Sequence, residues 1–272
     1  DRLCQTAVHA GGKAGIDLLG HRIGRQRHDR QPPAAADLSL SAARRQLQAV
    51  DTRHHAIGAE YAVLMLFAGG QPRGPALDHA YLGSSYSDEE IEAFLTKNEI
   101  AFEKYEVDEE LYDFVARSLQ AGKVCGWFHG RFEWGPRALG SRSIIADPRK
   151  PEMKELLNEK IKFREAFRPF APSVLEERAD EFFEFPDASR HLPARFMLYV
   201  CPVREDKRSV LPAITHEDGS GRLQTVNKET CPAYHRVIER FGELTGVPVI
   251  MNTSFNLKGE PIVEAPRHAF NT

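Results

Sequence analysis

The densest group of residues that could do chemistry is an arginine- and glycine-rich loop after an apolar segment. It reads His-Gly-Arg-Phe-Glu-Trp-Gly-Pro-Arg-Ala-Leu-Gly-Ser-Arg-Ser over residues 129–143. Guanidinium groups bind phosphate oxygens two at a time, and glycines let backbone N–H groups approach an anion. The loop therefore indicates an oxyanion site with Gly135, Arg137, Arg142 and Ser143 as candidate ligands. The alternative is a solvated basic loop that is paired to neighbouring carboxylates.

Three further segments carry cationic or short polar side chains at predicted turns. Residues 160–172 interleave lysine and arginine with phenylalanine, and two prolines there predict a rigid turn around Arg168. A glycine-rich turn over 215–221 precedes a strand-like Arg-Leu-Gln-Thr-Val. Short polar side chains follow an apolar strand at 252–256, where sheet edges bind small ligands. The candidates from these segments are Lys162, Arg168, Arg222, Gln224, Thr225, Asn252, Ser254 and Asn256.

Each of these segments also has an ordinary structural explanation. Residues 160–172 could be the end of an amphipathic helix, and 252–256 could be an Asx or ST turn. His216 with Asp218 could bind a metal or act as acid and base, although such a pair more often shapes a turn. No Walker A loop, Rossmann fingerprint, HExxH or Gly-x-Ser-x-Gly elbow is present. The segments together favour a pocket for phosphate-bearing substrates.

Composition restricts the class of protein. The 272 residues have a formal net charge of −3, which argues against a general binder of nucleic acid or anionic membranes. The four cysteines form no CxxC pair, so they favour buried structural residues in a reducing cytoplasm. No apolar run is long enough to predict a membrane span.

The pattern of elements predicts an α/β or α+β sheet domain, because helices and strands alternate after Tyr81. Ser87 and Glu90 form a predicted capping box at the start of one helix. Further helices are predicted over 108–120, 153–161 and 233–245, and strands over 102–107, 123–128, 196–203 and 247–251.

The first residues differ from the rest in composition and in periodicity, so we predict two domains, 1–78 and 79–272. Residues 1–55 contain no aromatic side chain and have neither helical nor strand periodicity. They favour a flexible basic segment, or one that is out of frame or damaged. Residues 56–68 predict a buried helix. Because the chain starts without Met and stops without a tail, we expect a fragment.

The motifs together resemble O-carbamoyltransferases of the nodulation and antibiotic-tailoring type. The matching segments are Glu-Trp-Gly-Pro-Arg-Ala-Leu-Gly-Ser-Arg-Ser-Ile at 133–144, Asp-Pro-Arg at 147–149, and the segments 160–172, 222–226 and 252–256. The resemblance implies a C-terminal YrdC-like domain with a twisted mixed sheet and flanking helices. It also implies that residues 1–78 are the remnant of an actin-like ATPase domain, which in the family holds a metal and completes the transfer.

The chemistry that the resemblance implies uses carbamoyl phosphate and ATP. Carbamoyl phosphate loses its phosphate, carbamate attacks the α-phosphorus of ATP, and carbamoyl-adenylate passes to the other domain for transfer to a hydroxyl acceptor. The positions that match the family's phosphate and carbamoyl grip are Arg137, Lys162, Arg168 and Arg222, with Ser254 and Asn256 in the nearby polar turn. Mg²⁺ is expected with ATP, but the sequence offers no dedicated carboxylate cluster and no protein metal site.

The departure from the family lies in the first domain, where a metal-binding HxxxH is absent. Two other classes stay open: a non-catalytic nucleotide- or RNA-binding module of the YrdC type, and a degraded gene product without function.

The missing metal site leads to a prediction. The purified 272-residue chain is expected to bind carbamoyl phosphate without carbamoylating an acceptor. An acceptor assay with radiolabelled carbamoyl phosphate measures this, and a carbamoylated product made by this chain alone would refute it.

Overall fold

The computed structural model describes residues 7–9, 77–165 and 167–272. Contacts divide the chain into two compact units, and the described residues all belong to the first except Trp134–Pro136, which belong to the second. The predicted helix at 56–68 and the predicted remnant of an actin-like domain lie outside the described residues. None of the described helices is long and apolar enough to cross a bilayer.

A seven-stranded mixed sheet organises the described part of the chain, in the order β1-β2-β3-β7-β4-β6-β5. The pairs β1–β2 and β4–β6 are parallel, and the other neighbours are antiparallel. The sheet confirms the predicted mixed α/β architecture. The strands are β1 Ala7–His9, β2 Cys125–His129, β3 Arg142–Ala146, β4 Ala171–Leu175, β5 Tyr199–Pro202, β6 Ser220–Val226 and β7 Val249–Ser254.

The helices flank this sheet. They are α1 Asp88–Lys97, α2 Asp108–Gln120, α3 Glu152–Leu157, α4 Pro232–Thr245 and α5 Pro266–Asn271. The predicted capping box is confirmed, because the Ser87 hydroxyl accepts from the Glu90 amide and the Glu90 carboxylate accepts from the Ser87 amide. A π-helix, Asn158–Lys162, continues α3 where the sequence predicted regular helix.

Two strand predictions need correction. Residues 102–107 form no strand, and the predicted strand at 196–203 shortens to β5 because a 3₁₀ helix, Leu192–Phe196, takes its first residue. The sequence missed β1, which lies where we found no strand periodicity, and also β3 and β4, which we interpreted as parts of loops. The interior strand β4 contains Pro172, which reads as a strand breaker. Pro172 lies opposite Met251 of β7, while pairing with β6 begins one residue later at Ser173.

The two faces of the sheet bury separate cores. On one face Trp127 and Ile145 pack with residues of α2 and α4, and we call this the α2–α4 face. On the opposite face Phe128, Ile144 and Met251 pack in a second cluster that includes residues of α1 and α3. Because successive side chains of a strand point to opposite faces, register decides which residues can share a site.

Two glycines with positive φ provide a test of the packing beside α4. A Cβ at Gly140, where φ is +109°, would overlap the ring of Tyr234, whereas a Cβ at Gly130, where φ is +59°, meets nothing within 4 Å. We expect Gly130→Ala to cost about 1 kcal/mol of unfolding free energy from backbone strain alone. Gly140→Ala should cost about 3 kcal/mol, because overpacking adds to that strain. Urea unfolding of both variants measures the difference, and equal losses would contradict this packing.

Candidate functional site

Strand register brings five of the predicted ligands onto the α2–α4 face. Ser143 of β3 lies directly opposite Ser254 of β7, and Asn252 lies two residues earlier on the same strand. Gln224 of β6 is paired with Ser173 of β4, and Arg222 lies two residues before it. Since residues i and i+2 of a strand share a face, segments far apart in sequence meet on one surface.

Arg142 and Thr225 point to the opposite face, which corrects the prediction that all the candidates share one pocket. The Arg142 guanidinium is fully buried, lies 3.6 Å from the centre of the Phe128 ring and donates to the backbone carbonyls of His129, Gly130 and Ser141. Burial lowers the pKa of Arg142 to about 10. With these contacts Arg142 braces the start of β3 instead of facing the pocket.

The arginine-rich loop is held across the α2–α4 face by donors to its carbonyl oxygens. Asn252 Nδ2 donates to the carbonyl of Ala138 at 3.1 Å, and Gln224 Nε2 donates to that of Leu139 at 2.7 Å. The indole of Trp127 donates to the carbonyl of residue 140 at 2.8 Å. Asn252 and Gln224, both predicted as ligand-binding residues, therefore bind the loop backbone.

The backbone amides of the same loop bind Glu133. Its Oε1 accepts from the amides of residues 139, 141 and 142 at 2.8, 2.6 and 3.1 Å. The remaining amide, at residue 140, donates to Ser143 Oγ at 3.1 Å. These four amides are therefore used within the protein. Burial raises the pKa of the Glu133 carboxyl, and the hydrogen bonds from the loop amides oppose that shift.

Lys162 reaches the end of β7 from the π-helix. Its Nζ lies 2.8 Å from both the backbone oxygen and Oδ1 of Asn256, and it also contacts the backbone oxygen and hydroxyl of Ser254. Burial first, and then the charge of Arg164, lowers the pKa of Lys162 to about 7. The four oxygen acceptors favour the ammonium form and fix its position. The predicted trio Lys162, Ser254 and Asn256 is therefore one contiguous group.

Arg222 interacts with both Arg137 and Arg164 as like charges. Burial, followed by the charges of Arg137 and Arg164, lowers the pKa of Arg222 to about 10. Burial also lowers the pKa values of Arg137 and Arg164. Arg222 Nε is buried without a hydrogen-bond partner, and among the described residues no carboxylate pairs with Arg137 or Arg222. With Lys162, these three form what we call the cation cluster.

Arg168 lies at the exposed margin of the cation cluster. Its Nε forms an ion pair with the Glu165 carboxylate at 2.7 Å, and its charge lowers the pKa of Arg164. Arg164 itself was not among the predicted ligands. It donates to Asn158 Oδ1 at 2.7 Å and lies 4.6 Å from the Phe170 ring centre. The position of Arg164 in the sequence, between the predicted ligands Lys162 and Arg168, was the only sequence signal for its role.

Several further features bear on the predictions. Gly135 belongs to the second compact unit. The described residues contain no group of three or more His, Cys, Asp or Glu that could hold a metal ion. A cavity of about 600 Å³ lies beside α2, α4 and His129, and no member of the cation cluster lines it. The three cysteines in the described ranges form no disulfide and are buried, as expected for structural residues.

Comparison with known protein families agrees with the family that the arginine-rich loop and the other motifs indicated. The family described as "Carbamoyltransferase C-terminus" matches residues 116–272, which is more than half of the chain. The chain therefore belongs to the carbamoyltransferase family through its C-terminal part, which confirms the resemblance inferred from the motifs.

Individual relatives support the same placement. The nodulation protein NolO of Bradyrhizobium diazoefficiens is 46% identical over 221 residues, which cover 80% of this chain and 39% of NolO. The nodulation protein NolNO of Sinorhizobium fredii is 53% identical over 158 residues, covering 58% of this chain and 23% of NolNO. An uncharacterized protein of Synechocystis is 45% identical over 216 residues, covering 72% of this chain and 34% of that protein. The matched part of this chain thus spans between 23% and 39% of the length of these relatives.

A solved structure, HypF of T. kodakarensis, aligns with 62% of this chain and 20% of its own, with a TM-score of 0.39 and 16% identity. A similarity this low carries no argument about the fold.

Two variants of Glu133 test its role in holding the loop. Glu133→Ala removes the acceptor of three buried amides, so we expect a loss of about 2–4 kcal/mol in unfolding free energy. Glu133→Gln keeps an acceptor oxygen and removes a buried charge, so its loss should be smaller. Denaturant unfolding at neutral pH compares the two, and an alanine variant as stable as the glutamine variant would show that the loop does not need this acceptor.

Proposed function

We propose that this chain binds carbamoyl phosphate and ATP at the cation cluster and forms carbamoyl-adenylate, which a hydroxyl-bearing acceptor consumes in the complete protein. Family membership supports carbamoyl transfer as the reaction class. The observation that carries the choice of ligand is the environment of Arg222, whose Nε is buried without a hydrogen-bond partner and whose pKa is lowered by burial and then by the charges of Arg137 and Arg164. A bound oxyanion relieves such repulsion.

The two kinds of cation have different tasks in this proposal. Lys162 is held by four oxygens of Ser254 and Asn256, so it is a positioned point charge with little freedom to move. Arg137 and Arg222 have guanidinium groups without a partner among the described residues, so both can offer paired N–H donors to phosphate oxygens. Positioned cations of both kinds neutralise the charge that develops when phosphate leaves or when a phosphorus atom is attacked.

Arg137 is the member whose position depends most on the loop. It directly precedes the backbone that Glu133, Gln224 and Asn252 hold, so its Cα is fixed although its side chain is unpaired among the described residues. These three residues act in the proposal by positioning Arg137, not by touching the substrate. A preorganised cation costs no reorganisation when the ligand binds.

Mg²⁺ in this proposal accompanies ATP. Because the described residues offer no cluster of acidic or imidazole ligands, the ion would take its ligands from phosphate oxygens and water, as Mg²⁺ commonly does. The acceptor, the transfer domain that resembles an actin-like ATPase, and a cytoplasmic location belong to the proposal for the complete protein.

Substitution of Arg222 tests the assignment. Arg222→Ala removes a buried cation without a described partner, so carbamoyl phosphate should bind about 10- to 100-fold more weakly. Arg117→Ala is the matched control, because Arg117 is an exposed arginine of α2 that pairs with Asp113. Isothermal titration calorimetry with carbamoyl phosphate and ATP measures both affinities. Unchanged binding in the Arg222 variant, or an equal loss in the control, would refute the cation cluster as the ligand site.

A further inference from the structure

We infer that His216 is an additional ligand-binding residue of the anion site and takes up a proton when an oxyanion binds beside Arg222. The inference deepens the proposed function and rests on it, because it requires the cation cluster to be the place where the oxyanion binds. His216 was noted in the sequence with Asp218 as a possible metal or acid–base pair, and neither the cation cluster nor the loop contacts account for it.

The position of His216 follows from a short turn that leads into β6. The amide of His216 donates to the carbonyl of Ser220, and the amide of Gly219 donates to the carbonyl of His216, so the turn closes on itself. Nδ1 of the His216 ring lies 3.1 Å from the hydroxyl of Ser220. Ser220 and Arg222 are residues i and i+2 of β6 and therefore share the α2–α4 face. The imidazole is thus tied to the strand position next to Arg222.

The carboxylate of Asp218 makes a second contact with Ser220. The Ser220 amide donates to Asp218 Oδ1 at 2.9 Å, and hydrogen bonds from Ser220 lower the pKa of Asp218. Asp218, Ser220 and His216 therefore form a connected row in which the serine lies between the acid and the imidazole. Such an arrangement orients the ring, because one nitrogen is engaged and the other is left for a ligand.

The charged groups that face His216 explain why a ligand would change its protonation. Burial lowers the pKa of His216, Asp218 raises it, and the cations Arg222 from β6 and Lys154 from α3 lower it. Without an anion, two cations and partial burial therefore keep the imidazole neutral. An oxyanion bound to Arg222 neutralises the charge of that arginine and accepts a hydrogen bond from the His216 ring. The imidazolium form of His216 therefore becomes favoured.

The alternative is that His216 only braces the turn before β6. A bracing histidine makes the same bond to Ser220, but its titration would not respond to a ligand of the cation cluster. The two explanations therefore differ in one measurable quantity, the titration midpoint of His216 with and without a bound anion.

The experiment is an NMR titration of the histidine side chains of the 272-residue chain between pH 5 and pH 9, without and with saturating sulfate. Sulfate carries a constant charge over this range, so any proton uptake belongs to the protein. The His216 resonance is assigned with His216→Gln. We expect sulfate to raise its midpoint by about one pH unit. Through this residue, sulfate affinity should therefore rise by up to about tenfold as the pH falls from 8 through both midpoints.

Two controls separate the inference from the proposed function. In Arg222→Ala, which lacks the cation that the inference places beside His216, sulfate should leave the His216 midpoint unchanged. Lys162 also titrates near neutral pH, so a pH-dependent affinity by itself decides nothing and the His216 resonance is the readout. Calorimetric binding of sulfate with an unchanged His216 midpoint would overturn this inference and leave the anion site intact. Failure of sulfate, carbamoyl phosphate and ATP to bind at all would overturn both.

Discussion

Hydrogen bonds to the backbone of residues 138–142 hold this segment in place, and the arrangement of the site depends on them. Donors from Trp127, Gln224 and Asn252 bind three successive carbonyls, while Glu133 and Ser143 bind the four amides between Leu139 and Arg142. A buried backbone polar group without a partner is costly, so few other paths across the sheet are available to this loop. The loop backbone binds the protein itself, and the Arg137 side chain just before it has no partner among the described residues.

The cation cluster contrasts with the well-paired backbone of that loop. Arg137, Arg164, Arg222 and Lys162 gather where burial and like charge oppose their ionisation, an arrangement that costs stability in the folded chain. Two other arginines have partners for their terminal nitrogens, since both Nη atoms of Arg142 donate to backbone carbonyls and Arg149 is paired with the buried Asp147. Arg222 has no such partner among the described residues, so the arginines that support the fold differ from those proposed to bind an oxyanion.

Several elements were accessible from local patterns. The capping box at Ser87, the helix over Asp108–Gln120 and the amphipathic helix that ends at Gly246 depend on neighbours within a few residues, so short-range rules described them correctly. Those short-range rules did not predict the strands β3 and β4. Arg142–Ala146 follows directly on a loop motif, and Ala171–Leu175 begins between prolines, so their strand character comes from pairing with β7 and β6 far along the chain.

The sequence by itself determined the family, and it predicted an oxyanion site because four arginine- or asparagine-bearing segments carry the residue types that grip oxyanions. It could not determine which side of a strand each residue faces, and Arg142 and Thr225 consequently grouped with residues from which the sheet separates them. Side-chain direction alternates along a strand, so it depends on register, and register is set by partner strands that local sequence rules do not identify. Tertiary structure likewise decided that Glu133, Gln224 and Asn252 hold the loop, since a hydrogen-bond partner is chosen by proximity in space.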